Sequence, residues 1–339
     1  MWGCGQNCPP HIAVLKRPMR LFLGVDGGQS GTNALIGDEA GRVLGAGSGG
    51  PCNHAAAPEG RQKLVRAVVD SVAAACAPAG LDPHAVRFAA ACFGMSGGPQ
   101  DKQAILREIL PADLVVVTGD AVIALAGATG GEPGIVAIAG TGSIAFGRNA
   151  AGGTARTGGW GYIFGDEGGA FDIARQALRA ALRAEEGWGP PTALSRALMD
   201  ATGSRDVNGA VHLFYTPDWP RSRVAGLAPL VDEAAMAGDA TAREILHNAA
   251  QQLAVLTSSV RGQLWKPGEP ARVAWTGGVF RSRILLERYR CLVELEDGNR
   301  VGPPEHDPAA GALIEAYRAA GLKWGGPPRQ QNRPQPDQS

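Results

Sequence analysis

The stretch LFLGVDGGQSGTNALIGDEAGRVLGAG, residues 21–47, decides the fold because a similar stretch occurs a second time. The second copy, GIVAIAGTGSIAFGRNAAGGTARTGG, spans residues 134–159. Each copy contains an apolar strand, a glycine-rich turn, a second strand and a polar turn, the pattern of a β-hairpin. Glycine permits tight turns and lets a ligand approach backbone N–H groups. Two such hairpins facing each other would hold a polyphosphate from both sides, which predicts a two-lobed phosphotransferase with its nucleotide in the cleft.

Length, charge and hydropathy restrict the classes of function. The chain has 339 residues, enough for two domains, and its 32 Lys+Arg balance its 32 Asp+Glu. This balance favours a small-molecule substrate and gives no reason to expect nucleic acid or an anionic membrane as a partner. No apolar stretch approaches the roughly 18 residues of a membrane span, and no signal-peptide core is present. We therefore expect a cytoplasmic protein whose six cysteines are reduced thiols.

The order of elements predicts two related α/β lobes. After residue 20 the pattern reads β-β-β-α-β-α-β-α, restarts with the second hairpin, and becomes mostly helical after residue 168. The ends of the chain are rich in Pro, Gly and Gln and are expected to be disordered. We predict a disordered leader (1–19), an N-terminal lobe (20–127 plus 308–321), a C-terminal lobe with helical insertions (128–307) and a disordered tail (322–339).

Polar groups follow the glycine-rich strands. Asp26 ends the first strand, and a carboxylate beside a phosphate-binding loop can hold Mg²⁺ directly or through water. Ser30 and Thr32 can donate hydroxyl hydrogen bonds to a phosphate. The second turn, residues 139–143, adds backbone N–H groups and two hydroxyls. A hairpin turn that Asp26 merely shapes is the alternative.

Asp120 lies between the apolar strand LVVVTG and the helix AVIALAGA. Catalytic carboxylates are commonly placed at the C-terminal end of a strand, facing a cleft. As a general base, Asp120 would take the proton of an attacking hydroxyl. The alternative is an N-cap of the helix, and the two roles are compatible because capping would hold the carboxylate still.

Three further segments could contact ligands. In the segment 158–169, dense in glycine, Trp160 could stack on a sugar ring and Asp166 could accept two sugar hydroxyls. The alternative there is a core tryptophan and a helix cap. Asn53 could add amide contacts, or lie in a plain surface loop. The pair Gly277-Gly278 could let backbone approach a base or ribose, or form a structural turn.

Together these segments resemble the BadF/BadG/BcrA/BcrD ATPase family, within the superfamily of sugar kinases and actin, and most of all its N-acetylglucosamine kinases. DGGQSGT and AGTGS stand at the two phosphate motifs, and VTGDAVIALAGA stands where the family has the kinase base. GGWGYIFGDEGGAFDIA is the most specific match, WTGGVFRS matches the adenosine side, and Cys-Asn-His at 52–54 matches a sugar-binding loop. The resemblance covers residues 21–320 and implies an α/β fold of two ribonuclease H-like lobes, the actin-like ATPase fold, with ATP and sugar in the cleft.

The resemblance also implies an activity and the residues that carry it. It implies ATP-dependent phosphorylation of an amino sugar, foremost N-acetylglucosamine, at the 6-hydroxyl, with ATP and Mg²⁺ as cofactors. Asp120 would be the catalytic base, and Asp26 would hold Mg²⁺. The residues implied in ATP and phosphate binding are Asp26, Gly28, Ser30, Thr32, Thr141, Gly142, Gly226, Gly277 and Gly278. Those implied in sugar binding are Asn53, Asp120, Ser143, Gly159, Trp160, Gly161 and Asp166.

Two departures from the family pattern leave alternatives open. Gln29 replaces the third glycine of the first phosphate motif, and Ser143 stands where the sugar kinases have asparagine. Glucosamine, N-acetylmuramic acid and glucose therefore stay open as acceptors. An ATPase activator of a 2-hydroxyacyl-CoA dehydratase would need cluster-binding cysteines, and none lies near the second phosphate motif. A sugar-sensing regulator would need a DNA-binding module, for which the leader is too short. A homodimer is expected only by analogy.

Overall fold

The first of two sheets contains the first glycine-rich hairpin. The structure is a computed structural model that describes residues 19–28, 31–52, 59–97 and 102–324. The sheet has the order β3-β2-β1-β4-β5. The pairs β1-β2 and β2-β3 are antiparallel, whereas β1-β4 and β4-β5 are parallel. Its strands are β1 (Leu21–Gly27), β2 (Thr32–Asp38), β3 (Val43–Gly49), β4 (Phe88–Met95) and β5 (Ala112–Gly119), with helices α1 (Gly60–Ala79), α2 (Gln103–Ile109) and α3 (Asp120–Thr129) between or after them.

The second sheet repeats the topology of the first. Its order is β10-β9-β6-β7-β8, with an antiparallel meander β6-β7-β8 followed by the parallel pairs β6-β9 and β9-β10. The described residues thus form two five-stranded sheets of one design, which confirms the predicted α/β class and the duplication. Its strands are β6 (Gly134–Ala139), β7 (Ser143–Arg148), β8 (Thr154–Gly158), β9 (Ala271–Thr276) and β10 (Asn299–Gly302).

The segment between β8 and β9 is helical, as the sequence predicted. The amphipathic stretches predicted at 170–184 and 241–263 are α4 and α9, and α11 begins as predicted, because Asp307 Oδ1 accepts a hydrogen bond from Ala310 N at 2.8 Å. In the part of the chain that the structure describes, no helix combines the length and apolar character needed to cross a bilayer. The helices are α4 (Ala170–Glu185), α5 (Leu194–Thr202), α6 (Val207–Leu213), α7 (Arg221–Ala225), α8 (Ala228–Met236), α9 (Ala240–Leu264), a short 3₁₀ helix (Gly278–Arg281), α10 (Arg283–Val293) and α11 (Pro308–Ala319).

Helices α3 and α11 lie between the two sheets and contact each other along their length. Helix α11 packs on the first sheet, where Leu313 shares a buried cluster with Phe22 of β1. Helix α3 packs on the second sheet, where Leu125 shares a buried cluster with Val136 of β6. The two helices therefore join the sheets, and the N-terminus of each carries a carboxylate, Asp120 in α3 and Asp307 in α11. The boundaries predicted for the lobes stay a prediction, and the leader (1–18) and the end of the tail (325–339) lie outside the described residues.

Candidate functional site

Carboxylates from three elements interact electrostatically near the ends of β1 and β5. Asp26 is on β1, Asp120 opens α3 directly after β5, and Asp307 caps α11. Burial, followed by the negative charges of Asp120 and Asp307, raises the pKa of Asp26 to about 6. Burial also raises the pKa of Asp120, and backbone hydrogen bonds and the charges of Arg156 and Lys102 oppose that rise. Carboxylates with raised pKa values at the ends of parallel strands are typical of a catalytic centre.

The backbone of α3 holds Asp120 in place. The N-cap position belongs to Gly119, which has no side chain to cap with, and Asp120 is the first helical residue. Asp120 Oδ1 accepts a hydrogen bond from Ala121 N at 2.9 Å. The partial positive charge at the N-terminus of a helix favours an ionised carboxylate there. Asp120 is therefore an anchored carboxylate that the helix helps to keep ionised.

The first glycine-rich turn is only partly described, because residues 29–30, and with them the predicted Ser30, lie outside the described residues. Gly28 N donates to Gly31 O at 2.9 Å, and Gly28 O accepts from Cys52 N at 2.9 Å. Thr32 is 1% exposed, and its Oγ1 donates to Gly50 O at 2.8 Å. Contrary to our expectation, the Thr32 hydroxyl hydrogen is used to tie the hairpin to the end of β3 rather than to face a phosphate.

A cavity of about 500 Å³ opens beside the second glycine-rich turn. Thr141, Gly226 and Gly278, which the sequence placed in nucleotide binding from three separate segments, all line it. Gly277 stands just before it with φ +108°, and a Cβ atom there would lie 2.2 Å from Ala139 O. Only glycine allows the end of β9 to approach β6 so closely. Further lining residues include Gly140, Ala170, Ser222, Ala225, Asp232 and Ser282.

The tryptophan of the glycine-dense segment faces outward. Trp160 is 69% exposed, so the alternative of a core tryptophan is wrong. The Arg156 guanidinium of β8 lies over the indole ring, 4.6 Å from its centroid. Because the same guanidinium opposes the rise in the pKa of Asp120, it connects the base candidate of α3 with the Trp160 segment. Gly159, also a sugar-binding candidate, donates its N–H to Ser143 O at 2.9 Å.

Asp166 is a buried carboxylate that pairs with a cation and accepts a backbone hydrogen bond. It is 5% exposed, has φ +65°, and its Oδ1 accepts from Ser143 N at 3.3 Å. Its Oδ2 forms an ion pair with Arg221. The Ser143 hydroxyl donates to Glu167 O at 2.6 Å. The helix-cap alternative for this segment is wrong, because Gly169 occupies the N-cap of α4 and no side chain caps the helix.

Sequence reasoning missed two site residues, Arg156 and Arg221. Arg156 lies on a short strand with no local motif, and Arg221 is 55 residues away from Asp166. Packing of α7 on α4 brings Arg221 to the site, and no signal in the sequence marks either that contact or which side chain of β8 acts on Asp120. The predicted Asn53 lies outside the described residues.

Comparisons with known proteins agree with this arrangement. The model of the BadF/BadG/BcrA/BcrD ATPase family matches residues 23–316. An N-acetylmuramic acid/N-acetylglucosamine kinase of Clostridium acetobutylicum is 30% identical over 307 residues, covering 88% of this chain and 98% of that protein. An N-acetyl-D-glucosamine kinase of Dictyostelium discoideum is 31% identical over 322 residues, with the same coverages of 88% and 98%.

A solved structure resembles the whole two-sheet arrangement. This crystal structure, from Chromobacterium violaceum and provisionally identified as an N-acetylglucosamine kinase, is 28% identical with a TM-score of 0.71. The match covers 87% of this chain and 98% of that one. The two repeated sheets therefore form the actin-like fold of this class of sugar kinases. With the family model matching most of its length, the chain belongs to the BadF/BadG/BcrA/BcrD ATPase family.

Proposed function

We propose that this protein is an ATP-dependent kinase that phosphorylates an amino sugar, foremost N-acetylglucosamine, at its 6-hydroxyl. One observation carries the proposal: Arg156 stacks on Trp160 and acts electrostatically on Asp120. Arg156 thus links a base candidate that follows β5 of the first sheet to the segment proposed for the sugar, which follows β8 of the second. The amino-sugar kinases of Clostridium and Dictyostelium, at 30% and 31% identity, support this class of acceptor.

Asp120 is the proposed general base. It would accept the proton of the sugar hydroxyl while that oxygen bonds to the γ-phosphorus and the bond to the leaving ADP oxygen breaks. Phosphoryl transfer depends mainly on positioning and charge stabilisation, so a base anchored by a helix N-terminus suits it. The base must be ionised to act, and the charges of Arg156 and Lys102 favour that form against burial.

Asp26 is the proposed Mg²⁺ ligand. Its raised pKa reflects a buried carboxylate repelled by two others, and a bound cation would relieve that repulsion. Mg²⁺ is usually held by one or two carboxylates together with substrate phosphates. When bound, Mg²⁺ would neutralise charge on the β- and γ-phosphates. Among the residues that the structure describes, no group of three or more His, Cys, Asp or Glu side chains could hold a metal ion.

The remaining predicted residues divide between two ligands across the proposed cleft. The lobe of residues 20–127 plus 308–321 would face the lobe of residues 128–307, with both ligands between them. The residues proposed for the nucleotide, beside Asp26 and Gly28, are Thr141, Gly142, Gly226, Gly277 and Gly278. Those proposed for the sugar are Ser143, Gly159, Trp160, Gly161 and Asp166.

Identifying the product tests the proposal. The protein is incubated with Mg-ATP and N-acetylglucosamine, and phosphorus NMR identifies the product. We expect a sugar 6-phosphate that accumulates with ADP. Release of inorganic phosphate with no sugar phosphate would overturn the proposal. Glucosamine and N-acetylmuramic acid are the alternative acceptors, and the latter is favoured by the name of the Clostridium relative.

A further inference from the structure

Among the described residues, Arg221 is the cation that forms an ion pair with the Asp166 carboxylate. Asp166 is buried and adopts the left-handed conformation, which a non-glycine residue keeps only where its surroundings enforce it. Arg221 supplies the ion pair to Oδ2, and Ser143 N supplies one long hydrogen bond to Oδ1. Removing the ion-pair partner of a buried carboxylate strongly destabilises a protein, because the buried charge is then uncompensated. The direction in which Asp166 points is therefore set largely by Arg221.

The Arg221 guanidinium is itself held by aromatic rings. Its Cζ lies 5.3 Å from the centroid of the Tyr162 ring and 5.9 Å from that of the Phe171 ring. Such cation–π contacts fix the plane of the guanidinium. Among the described residues Arg221 Nε finds no hydrogen-bond partner, although it is buried. These contacts place the arginine between Asp166 and the aromatic residues rather than in solvent.

Arg221 also begins the helix that forms a wall of the proposed nucleotide cavity. It is the first residue of α7, and Ser222, Ala225 and the following Gly226 line that cavity. A helix of five residues moves as a unit, so a nucleotide that contacts one face of α7 acts on Arg221 at its start. The ion pair between Arg221 and Asp166 thus connects the proposed sugar site with the proposed nucleotide site through α7.

We propose that Arg221 is a positioning residue that orients the Asp166 carboxylate toward the sugar and makes sugar affinity depend on the bound nucleotide. The inference rests on the proposed function, because it takes Asp166 as a ligand of the sugar. Arg221 does not need to touch the sugar for this role. Its contribution passes through Asp166 on one side and through α7 on the other.

Steady-state kinetics of Arg221→Gln, Arg221→Lys and the control Arg223→Gln test the positioning role. Arg223 shares α7, but it lies over the Trp219 ring at 4.1 Å and donates to Asp218 O at 2.9 Å. For Arg221→Gln we expect the KM for N-acetylglucosamine to rise about tenfold or more, the effect of losing a hydrogen bond to a charged group. The KM for ATP should change far less, and lysine should restore part of the loss because it keeps the charge but not the planar fork.

Calorimetry tests the dependence on nucleotide. The dissociation constant of the sugar is measured with and without a non-hydrolysable ATP analogue. We expect the analogue to tighten sugar binding in the wild type and in Arg223→Gln, and to have a much smaller effect in Arg221→Gln. An equal effect in all three proteins would overturn the inference.

A double-variant cycle separates positioning from general loss of structure. If Arg221 acts through Asp166, adding Arg221→Gln to Asp166→Asn should raise the sugar KM no further, because the two side chains work as a unit. Additive losses, or a sugar KM for Arg221→Gln equal to that of Arg223→Gln, would contradict the positioning role. A wild-type protein that phosphorylates no sugar would instead remove the proposed function, and the inference with it.

Discussion

Asp26 and Asp120 stand in different surroundings, because Asp26 is partly buried on β1 whereas Asp120 is exposed at the start of α3. Asp120 has a backbone hydrogen bond and two cations that favour its ionised form, which suits a base. The negative charges of Asp120 and Asp307 repel that of Asp26, and such an environment suits a carboxylate that binds a cation. Active sites that divide acid–base chemistry between two side chains of the same type commonly place them in different environments, which gives them different pKa values.

Replacing the base should remove turnover and spare binding. For Asp120→Asn we expect kcat to fall by about 10²–10⁴-fold, the usual contribution of general acid–base catalysis, while the sugar dissociation constant stays near the wild-type value. The matched control is Asp113→Asn, because Asp113 is an exposed carboxylate on β5, the strand that precedes Asp120, and it forms an ion pair with Arg87. Stopped-flow or coupled assays with calorimetry measure both quantities. Retained turnover would remove Asp120 as the base.

Removing the charge of Arg156 should change the pH dependence of kcat. This charge lowers the pKa of Asp120, so Arg156→Gln should raise that pKa and move the acidic limb of the kcat profile to higher pH. Arg300→Gln is the control, because Arg300 lies on β10 at the edge of the second sheet. A profile for Arg156→Gln that superimposes on the wild-type profile would show that Arg156 does not act on the base.

Asp26 should make the ligand-free protein less stable as the pH rises. The pKa of Asp26 is about 6 in the folded protein and ordinarily 3.8, so the folded state binds this proton more tightly than the unfolded state does. The contribution of Asp26 to stability is therefore fully present below pH 3.8 and is lost as the pH rises through 6. Asn cannot ionise, so Asp26→Asn should unfold at a higher temperature than the wild type at pH 8. The gain should approach about 3 kcal/mol and should nearly vanish at pH 4. A lower melting temperature at pH 8, measured by calorimetry without nucleotide, would contradict the assigned cause.

Helices α3 and α11 cross so closely that glycine is required at the contact. A Cβ atom on Gly311 would lie 1.8 Å from Ile123 O, and one on Gly127 would lie 2.3 Å from Asp307 O. Contacts with backbone atoms cannot be relieved by a rotamer change, so larger residues would push the helices apart. Because Asp120 and Asp307 stand at the N-termini of these helices, the crossing also sets the spacing of the acidic groups near Asp26.

Alanine substitutions in two helices should therefore have opposite effects on stability. In an open helix, Gly→Ala stabilises by roughly 0.5–1 kcal/mol, and Gly262 of α9 meets nothing within 4 Å, so Gly262→Ala should follow that rule. Gly311→Ala should instead destabilise by about 1–3 kcal/mol through overpacking, and should lower kcat. Urea unfolding measures both changes. A stabilised Gly311→Ala variant with full activity would contradict the close crossing.

The sequence predicted elements well where local signals are strong. Both hairpins were predicted because glycine and polar turns interrupt short apolar runs, and α10 was expected from Ser282, which caps it through a bond from Leu285 N at 3.2 Å. Strand β10 was missed, because the four residues NRVG carry no apolar pattern and pair with β9 only in the folded chain. Asp26 and Asp120 could be singled out because each stands at the end of an apolar strand. Arg221 could not, since Asp166 is 55 residues away, and Arg156 could not, since no motif marks it.

At the scale of the whole molecule, the two sheets are linked by charged contacts as well as by helices. Arg148 of β7 forms an ion pair of 2.9 Å with Glu315 of α11, and both side chains are largely buried. This pair connects the second sheet to the helix that covers the first. If the proposed cleft closes on its ligands, closure that excludes water would limit wasteful hydrolysis of ATP.

The central claim is sugar-dependent phosphoryl transfer in that cleft. The most direct test is a coupled assay of ADP release from Mg-ATP with N-acetylglucosamine, glucosamine, N-acetylmuramic acid, N-acetylmannosamine and glucose, with Asp120→Asn as the inactive control. The account predicts strong turnover with an amino sugar, foremost N-acetylglucosamine, and almost none without sugar or in the variant. ATP hydrolysis that ignores the sugar, or no ADP release with any of them, would contradict it.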